Sequence, residues 1–249
     1  MRLTTDGLIV KEQKVGENDR LVTALTRDKG LIRAFARGAL GLKNKNGAGT
    51  GLFCYSQLTL FSKGDTYTID EAALQQSFFS LRKDIVKLSL AQYFCEIAIV
   101  MAPRETEAED FLRLLLNALY LLSETKRPAL LIKAAVELKT ACLAGYMPDA
   151  GACAQCGTKE SAAWFFNARS GLIFCDSCRP PEGTAVELPC ALRDAVLYIS
   201  GAEVSRVFGF QLSDNALEAL SKMTEYYLQV QAECGFSTLE FYYSIARPM

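Results

Sequence analysis

Cys153-Ala154-Gln155-Cys156-Gly157 and Cys175-Asp176-Ser177-Cys178 decide how the second half of this chain folds. They are joined through Trp164-Phe165-Phe166-Asn167-Ala168-Arg169-Ser170-Gly171-Leu172-Ile173-Phe174, and the whole pattern is C-x2-C-x18-C-x2-C. Each C-x2-C pair lets a tight turn bring two thiolates onto one metal. Two such knuckles close a tetrahedral four-thiolate site, for which Zn²⁺ is the usual occupant. Gly157 follows the first pair, where a knuckle needs a residue tolerant of positive φ. The aromatic connection reads as strand, turn, strand, which returns the second knuckle to face the first. Four ligands of one kind leave no position for water or substrate. The expectation is one structural Zn²⁺ held by Cys153, Cys156, Cys175 and Cys178. The rival readings are four unrelated buried cysteines or a redox pair, and redox sites rarely come as two knuckles at this spacing.

Working outward, composition sets limits. A chain of 249 residues, half of them hydrophobic and with a net charge of −1, can bury a substantial core and suits one or two globular domains. It has no histidine, which removes imidazole bases, His-based triads and mixed Cys/His fingers together. Its nine cysteines are an odd count, and the opening Met1-Arg2-Leu3-Thr4-Thr5-Asp6-Gly7 lacks the apolar core of a signal peptide. A cytoplasmic chain is expected, with Cys54, Cys95, Cys142, Cys190 and Cys234 as reduced thiols. The greasiest stretch, Phe111 to Leu122, contains Arg113 and Asn117 and is too short to cross a bilayer.

Charge is uneven. The first fifty residues carry ten Lys/Arg against five Asp/Glu. A basic front module on a mildly acidic body points to a polyanionic partner for that module, or simply to a solvated β surface.

That module reads as strands. Leu8-Ile9-Val10, then Leu21 to Thr26, a turn at Asp28-Lys29-Gly30, and a return strand Leu31 to Arg37 come first. Leu52 to Phe61 and Thr66 to Ile69 form a second hairpin around Lys63-Gly64-Asp65. Five short strands in so few residues suit an OB-fold barrel, a fold often used on nucleic acids. Alternation in the third strand puts Leu31, Arg33, Phe35 and Arg37 on one face and Ile32, Ala34 and Ala36 on the other. Facing outward, Phe35 would stack a base between two guanidinium groups. Facing inward it would fill the barrel while the arginines snorkel, the commoner use of Phe, and this is the expectation adopted. Gly38 to Gly51, with Lys43, Lys45 and five glycines, reads as a mobile cationic loop for phosphate backbones or as a plain linker.

The remainder reads as helices around the knuckles. Ser77 to Met101 forms the first. Thr106-x-x-Glu109 is a capping box opening a second, Phe111 to Ser123, apolar nearly all round and expected at the centre of the body. A third starts near Pro128 and ends at Gly145. Leu188 to Ser200 and Asp214 to Cys234 follow the knuckles. The fold class expected is α+β and multidomain: an OB-fold at 1–78, then an all-helical domain at 79–249 with a zinc-binding insertion at about 148–183.

Specific motifs sharpen this. In the front module they are Gly16-Glu17-Asn18-Asp19-Arg20, Thr26-Arg27-Asp28-Lys29-Gly30 and Ala36-Arg37-Gly38-Ala39 with Lys43 beyond. Further on, Leu143-Ala144-Gly145-Tyr146-Met147-Pro148 runs into Cys153-x2-Cys156-Gly157, then Phe166-Asn167, Ser170-Gly171 and Cys175-x2-Cys178. With these residues the chain resembles the RecO family of bacterial recombination mediators and DNA-repair proteins over essentially its whole length. It departs from the family pattern in the glycine-rich loop after Lys43. It keeps all four cysteines, which some members lack.

The resemblance implies a non-catalytic role. Such proteins bind single- and double-stranded DNA and anneal complementary strands. With RecR they load RecA onto strands coated by single-strand-binding protein, in the bacterial cytoplasm and at the nucleoid during repair. On this reading Arg20, Arg27, Arg33, Arg37, Lys43 and Lys45 neutralise phosphate, with Lys11 and Lys14 as weaker candidates. The resemblance also implies a groove for the acidic, Phe-terminated tail of single-strand-binding protein, placed on the helix Ala129 to Ala144 with Lys133 and Lys139 receiving its carboxylates. The alternative from another class is a zinc-ribbon nucleic-acid-binding factor of transcription or translation.

Overall fold

The computed structural model describes residues 2–41, 44, 46–63 and 66–246. Five strands come first: β1 (Arg2–Val15), β2 (Asp19–Thr26), β3 (Gly30–Ala36), β4 (Cys54–Lys63) and β5 (Thr66–Ser77). They close a barrel in the order β1-β2-β3-β5-β4, with β3 and β5 parallel and the other pairs antiparallel. This is the five-stranded OB arrangement expected from the sequence. Long β1 serves two neighbours, pairing its first half with β4 and its second with β2 across a bulge between Ile9 and Lys11. The barrel core gathers Ile9, Val22, Ala24, Ile32, Ala34, Ala36, Leu58, Leu60 and Ile69. These are the inward positions of alternating strands.

Phe35 does not join that core. It is half-buried on the outer face, and Ile32, Ala34 and Ala36 hold the interior. The expectation of a core phenylalanine is corrected by parity: Phe35 shares its face with Arg33 and Arg37, so turning it inward would desolvate two guanidinium groups.

The glycine-rich segment also differs from the mobile loop expected. Asn46 and Thr50 are buried, and Asn46 is fixed by its amide to Asp70 O (3.0 Å) and by Ala72 N to its Oδ1 (3.2 Å). Its glycines serve close approach: a Cβ on Gly47 would stand 2.7 Å from Ala39 O, and one on Gly49 2.6 Å from Ala72 O. Lys43, Lys45 and the tip of the second hairpin at 64–65 lie outside the described residues.

The chain divides into two compact units, 1–126 with 236–249, and 127–235. In the first, β5 runs on to Ser77 and a 3-10 turn spans Phe79–Lys83. Helix α1 (Ile85–Met101) starts only after Asp84, whose Oδ1 accepts from Val86 N (2.9 Å) and Lys87 N (3.1 Å). The single helix expected from Ser77 is therefore interrupted, because Asp84 is an N-cap. Helix α2 (Glu109–Glu124) opens without a capping box: its N-cap is Ala108, which makes no side-chain cap bond and donates its N–H to Arg27 O (2.8 Å). Contact with the turn that follows β2 replaces the predicted Thr106 cap. Nor is α2 apolar all round. It buries Phe111, Leu112, Leu115, Leu119 and Leu122 and exposes Arg113 and Tyr120.

The helix buried all round is α3 (Ala129–Leu143) of the second unit, in which every residue from Leu131 to Cys142 is buried. It packs on α5 (Asp214–Ala232) and α4 (Cys190–Gly201). Between α3 and α4 lies a three-stranded sheet, β6 (Trp164–Asn167), β7 (Leu172–Cys175) and β8 (Val186–Glu187), in the order β7-β6-β8. The sixth helix, α6 (Ser237–Ala246), was not foreseen and belongs to the first unit. Phe236 leads into it, 2 % exposed and edge-on to Tyr93 of α1 at 5.5 Å. Glu96 of α1 then accepts from Ser237 N (3.3 Å) and Thr238 N (2.9 Å) and from both hydroxyls, capping α6 from another helix.

Candidate metal centre and nucleic-acid interface

The two cysteine knuckles meet as the spacing predicts. All four Sγ atoms of Cys153, Cys156, Cys175 and Cys178 lie within 4.8 Å of one another, and Cys156 and Cys175 are 3.7 Å apart. Sulfurs held at about 2.3 Å around a tetrahedral ion stand about 3.8 Å apart, so the set fits a metal ion. Gly157 takes φ +73° and donates to Cys153 O (2.9 Å), closing the first knuckle. The second is the short 3-10 turn Asp176–Cys178. Between them Asn167 Oδ1 accepts from Arg169 N (3.0 Å) and Ser170 N (3.1 Å), and Gly171 completes the turn at φ +68°.

Electrostatics within the cluster favour a cation. At Cys153 burial pushes the thiol up, but the backbone N–H groups of Cys156, Cys175 and Gln155 outweigh it and bring it down to about 6. Cys178 moves the other way, to about 12, through its hydrogen bond with Cys175 and then burial. At Cys175 burial, aided by the hydrogen bonds of Cys153 and Cys156, outweighs the opposing hydrogen bond with Cys178 and raises the thiol. One thiolate thus discourages its neighbours, and a divalent ion removes that conflict.

The hairpin is locked to its own unit by side chains. Arg193 of α4 stacks over Trp164 at 4.1 Å and donates to Ala150 O (2.9 Å) and Gly151 O (2.7 Å), bracing the first knuckle. Tyr227 of α5 lies 5.4 Å from Phe166 and donates to Tyr146 O (3.0 Å), which fixes the Gly145-Tyr146-Met147-Pro148 approach. Gln231 donates to Ala168 O (2.7 Å).

On the barrel the structure sorts the predicted phosphate contacts. Arg20 is mostly buried: Nε meets Glu12 at 3.1 Å, and Nη1 donates to Gly47 O (3.1 Å) and Thr50 Oγ1 (2.9 Å). It orders the glycine segment, so it is withdrawn from the interface. Arg27 is half-exposed but shared between Asp6 (3.3 Å) and Asp28 (3.3 Å), which offset its charge. Arg33 and Arg37 are exposed and form no ion pair among the described residues. Asp19 accepts from Gly38 N (2.7 Å), tying the Asn18-Asp19-Arg20 and Arg37-Gly38 motifs together beside Arg37.

Register adds a residue that sequence reasoning missed. Across the outer face, Leu21 lies opposite Phe35, Phe35 beside Thr68, Thr68 opposite Phe61, and Phe61 opposite Arg2. Phe61 is 52 % exposed. A cleft of about 580 Å³ is lined by Arg37, Asn46, Phe61, Thr66, Thr68, Ile69 and Asp70. Two outward phenylalanines thus share the outer face with exposed guanidinium groups, residue types that also serve in stacking platforms for single strands. The signal was legible: Leu58 and Leu60 point inward, so Phe61 must point out.

Residues 1–78 match the family model described as Recombination protein O N terminal, and residues 82–246 the model described as Recombination protein O C terminal. The chain belongs to the RecO family. A DNA repair protein RecO of Acetivibrio thermocellus is 31% identical over 245 residues, covering 98% of each chain. One from Dehalococcoides mccartyi is 30% identical over 217 residues, covering 87% of this chain and 85% of its own. That of Symbiobacterium thermophilum is 27% identical over 239 residues, covering 95% and 94%. This RecO chain is thus a DNA-repair protein by family, and none of its described helices is long and apolar enough to cross a membrane.

The sites placed on α3 need correction. Lys133 is fully buried, 2.7 Å from Glu137, 2.7 Å from Glu225 of α5 and 3.2 Å from Ser221 Oγ. Glu137 in turn accepts from Thr224 Oγ1 (2.7 Å). Lys139 donates to Ser200 O (3.0 Å) and Ala202 O (2.6 Å) at the end of α4. Both ammonium groups are consumed inside the helical unit, because α3 is enclosed by α4 and α5. Neither is available to a partner's carboxylates. The clue overlooked was the i,i+4 spacing of Lys133 and Glu137 within an otherwise apolar helix.

Proposed function

We propose that this RecO chain binds single- and double-stranded DNA through the outer face of its barrel and anneals complementary strands. We further propose that it acts with RecR to load RecA onto strands coated by single-strand-binding protein. The observation that carries the reading is the row Phe35–Thr68–Phe61 flanked by the exposed guanidinium groups of Arg33 and Arg37, which form no ion pair among the described residues. Arginines without internal partners neutralise phosphate, while the two rings take unstacked bases. Annealing needs strands held by backbone and base faces, with pairing edges left open, and no nucleophile takes part. The role is therefore non-catalytic. One Zn²⁺ on the four cysteines is assigned a structural task, holding the hairpin against α4 and α5, since four thiolates leave it no open position.

The test is annealing of complementary oligonucleotides with and without single-strand-binding protein. Acceleration that is lost in an Arg33→Ala/Arg37→Ala/Phe61→Ala variant supports the reading. No acceleration by the parent protein in either condition rejects it.

A further inference from the structure

A second cleft of about 470 Å³ opens on the first unit where β1, β2 and β3 meet the end of α1. Lys11, Thr23 and Arg33 lie in register across the three strands, and all three line it. Its far wall is the short segment after α1, which contributes Arg104 and Glu105. That segment is fixed by its backbone. Leu31 N donates to Pro103 O (2.8 Å), Arg104 bridges to Gly30, and Ala108 N donates to Arg27 O. Gly30 permits the approach: at φ +58° a Cβ there would stand 2.2 Å from Pro103 O. Glu105 sits at φ +57°, uncommon for a residue with a side chain, and its carboxylate accepts from Tyr67 OH at 2.8 Å.

The cleft therefore brings three cations from two walls together. Among the described residues that line it, the one acid, Glu105, is already engaged by Tyr67, and Thr23 and Gln13 add neutral donors. An internal phosphodiester offers a single charge and two free oxygens to such a site. A terminal monoester offers nearly twice the charge and three acceptor oxygens, which suits convergent cations from opposite sides. We propose that this cleft is a phosphomonoester site, which takes either the 5′-phosphate of a DNA end or a free nucleoside monophosphate. For DNA ends the proposal rests on the DNA-binding reading above; for the free nucleotide it stands alone.

Arg104 is the residue to change, since it is exposed, lies away from Phe35 and Phe61, and bridges to Gly30 through its backbone. Using the full zinc-loaded chain, one compares oligothymidine carrying a 5′-phosphate with the same strand carrying a 5′-hydroxyl, and titrates adenosine monophosphate separately. Unchanged thermal unfolding certifies the Arg104→Ala fold, and Arg104→Glu is the second variant. The 5′-phosphorylated strand is expected to bind about ten-fold more tightly, and both variants to remove the difference while leaving the 5′-hydroxyl strand as before. A strand preference without nucleotide binding assigns the DNA end. Nucleotide binding that depends on Arg104, without a strand preference, assigns the free monophosphate. No preference and no nucleotide binding overturn the proposal, as does any preference or nucleotide binding that survives both variants. If neither strand binds, the DNA-binding reading fails by itself and the nucleotide titration still decides the cleft.

Discussion

The four-cysteine hairpin and the outer barrel face are both small β structures rich in aromatic and cationic side chains, yet they spend their polar groups in opposite ways. In the hairpin, Arg193 stacks on Trp164 and gives its N–H groups to Ala150 and Gly151, and Asn167 closes its own turn. On the barrel, Arg33 and Arg37 form no ion pair among the described residues and flank a half-exposed Phe35. A guanidinium satisfied within the chain holds structure together. One that faces water beside an exposed ring is free to meet a ligand. The distinction also works inside the barrel, where Arg20 belongs to the first class and Arg37 to the second.

Removing the metal puts the heaviest load on this comparison. Chelation, or Cys153→Ser, is expected to unfold the hairpin and loosen the second unit, since thiolate sites of this kind contribute on the order of 10 kcal/mol. DNA affinity of the barrel should change by no more than about 0.5 kcal/mol, the scatter of independent sites. Circular dichroism and anisotropy on the same samples check this; parallel loss of both would erase the contrast. Because the thiols must lose protons to bind, and Cys178 starts near 12, metal affinity should fall as pH falls.

Lys133→Ala comes next in size. It takes the ammonium away from buried Glu137 and partly exposed Glu225 and should cost about 3–5 kcal/mol in denaturant unfolding. A small cost would mean that Lys133 behaves as the surface residue its sequence suggested.

Phe61→Ala sharpens the barrel side. Loss of one stacking ring should weaken single-strand binding by about 1–3 kcal/mol and leave duplex binding almost unchanged. Equal losses on both would make Phe61 a packing residue.

The smallest effect concerns α6. Partial burial raises the Glu96 carboxyl, but donors from Thr238 and Ser237 outweigh that and hold it below its ordinary value. Its contribution is therefore present above the unfolded carboxylate value of about 4.3 and disappears as pH falls through the lower folded one. Hydrogen exchange in Ser237–Ala246 should quicken there in the parent, and at neutral pH in Glu96→Gln.

Much of the architecture was legible from local pattern. Alternation pointed to the strands, the C-x2-C pairs to the four-cysteine cluster, and the motifs around Asp19, Gly38 and Gly145 to the family. What stayed hidden depended on partners far away in sequence. Arg20 looks like any basic strand residue until Gly47 and Thr50 fold over it. Lys133 and Lys139 look solvated until Glu225 and the end of α4 close on them. Asp84 and Ala108 set helix starts through a local cap and a contact with the turn after β2 that the apolar period does not report. Phe35 was the exception, since its parity with two arginines already placed it outside.

The salt dependence of single-strand affinity in Arg33→Ala/Arg37→Ala tests the central claim most directly. Each phosphate contact to a single strand contributes about 0.7 to the slope of log K against log salt, so the account predicts a slope shallower by about 1.4 with thermal stability unchanged. The parent slope retained in the double variant would place the phosphate contacts elsewhere and contradict the account.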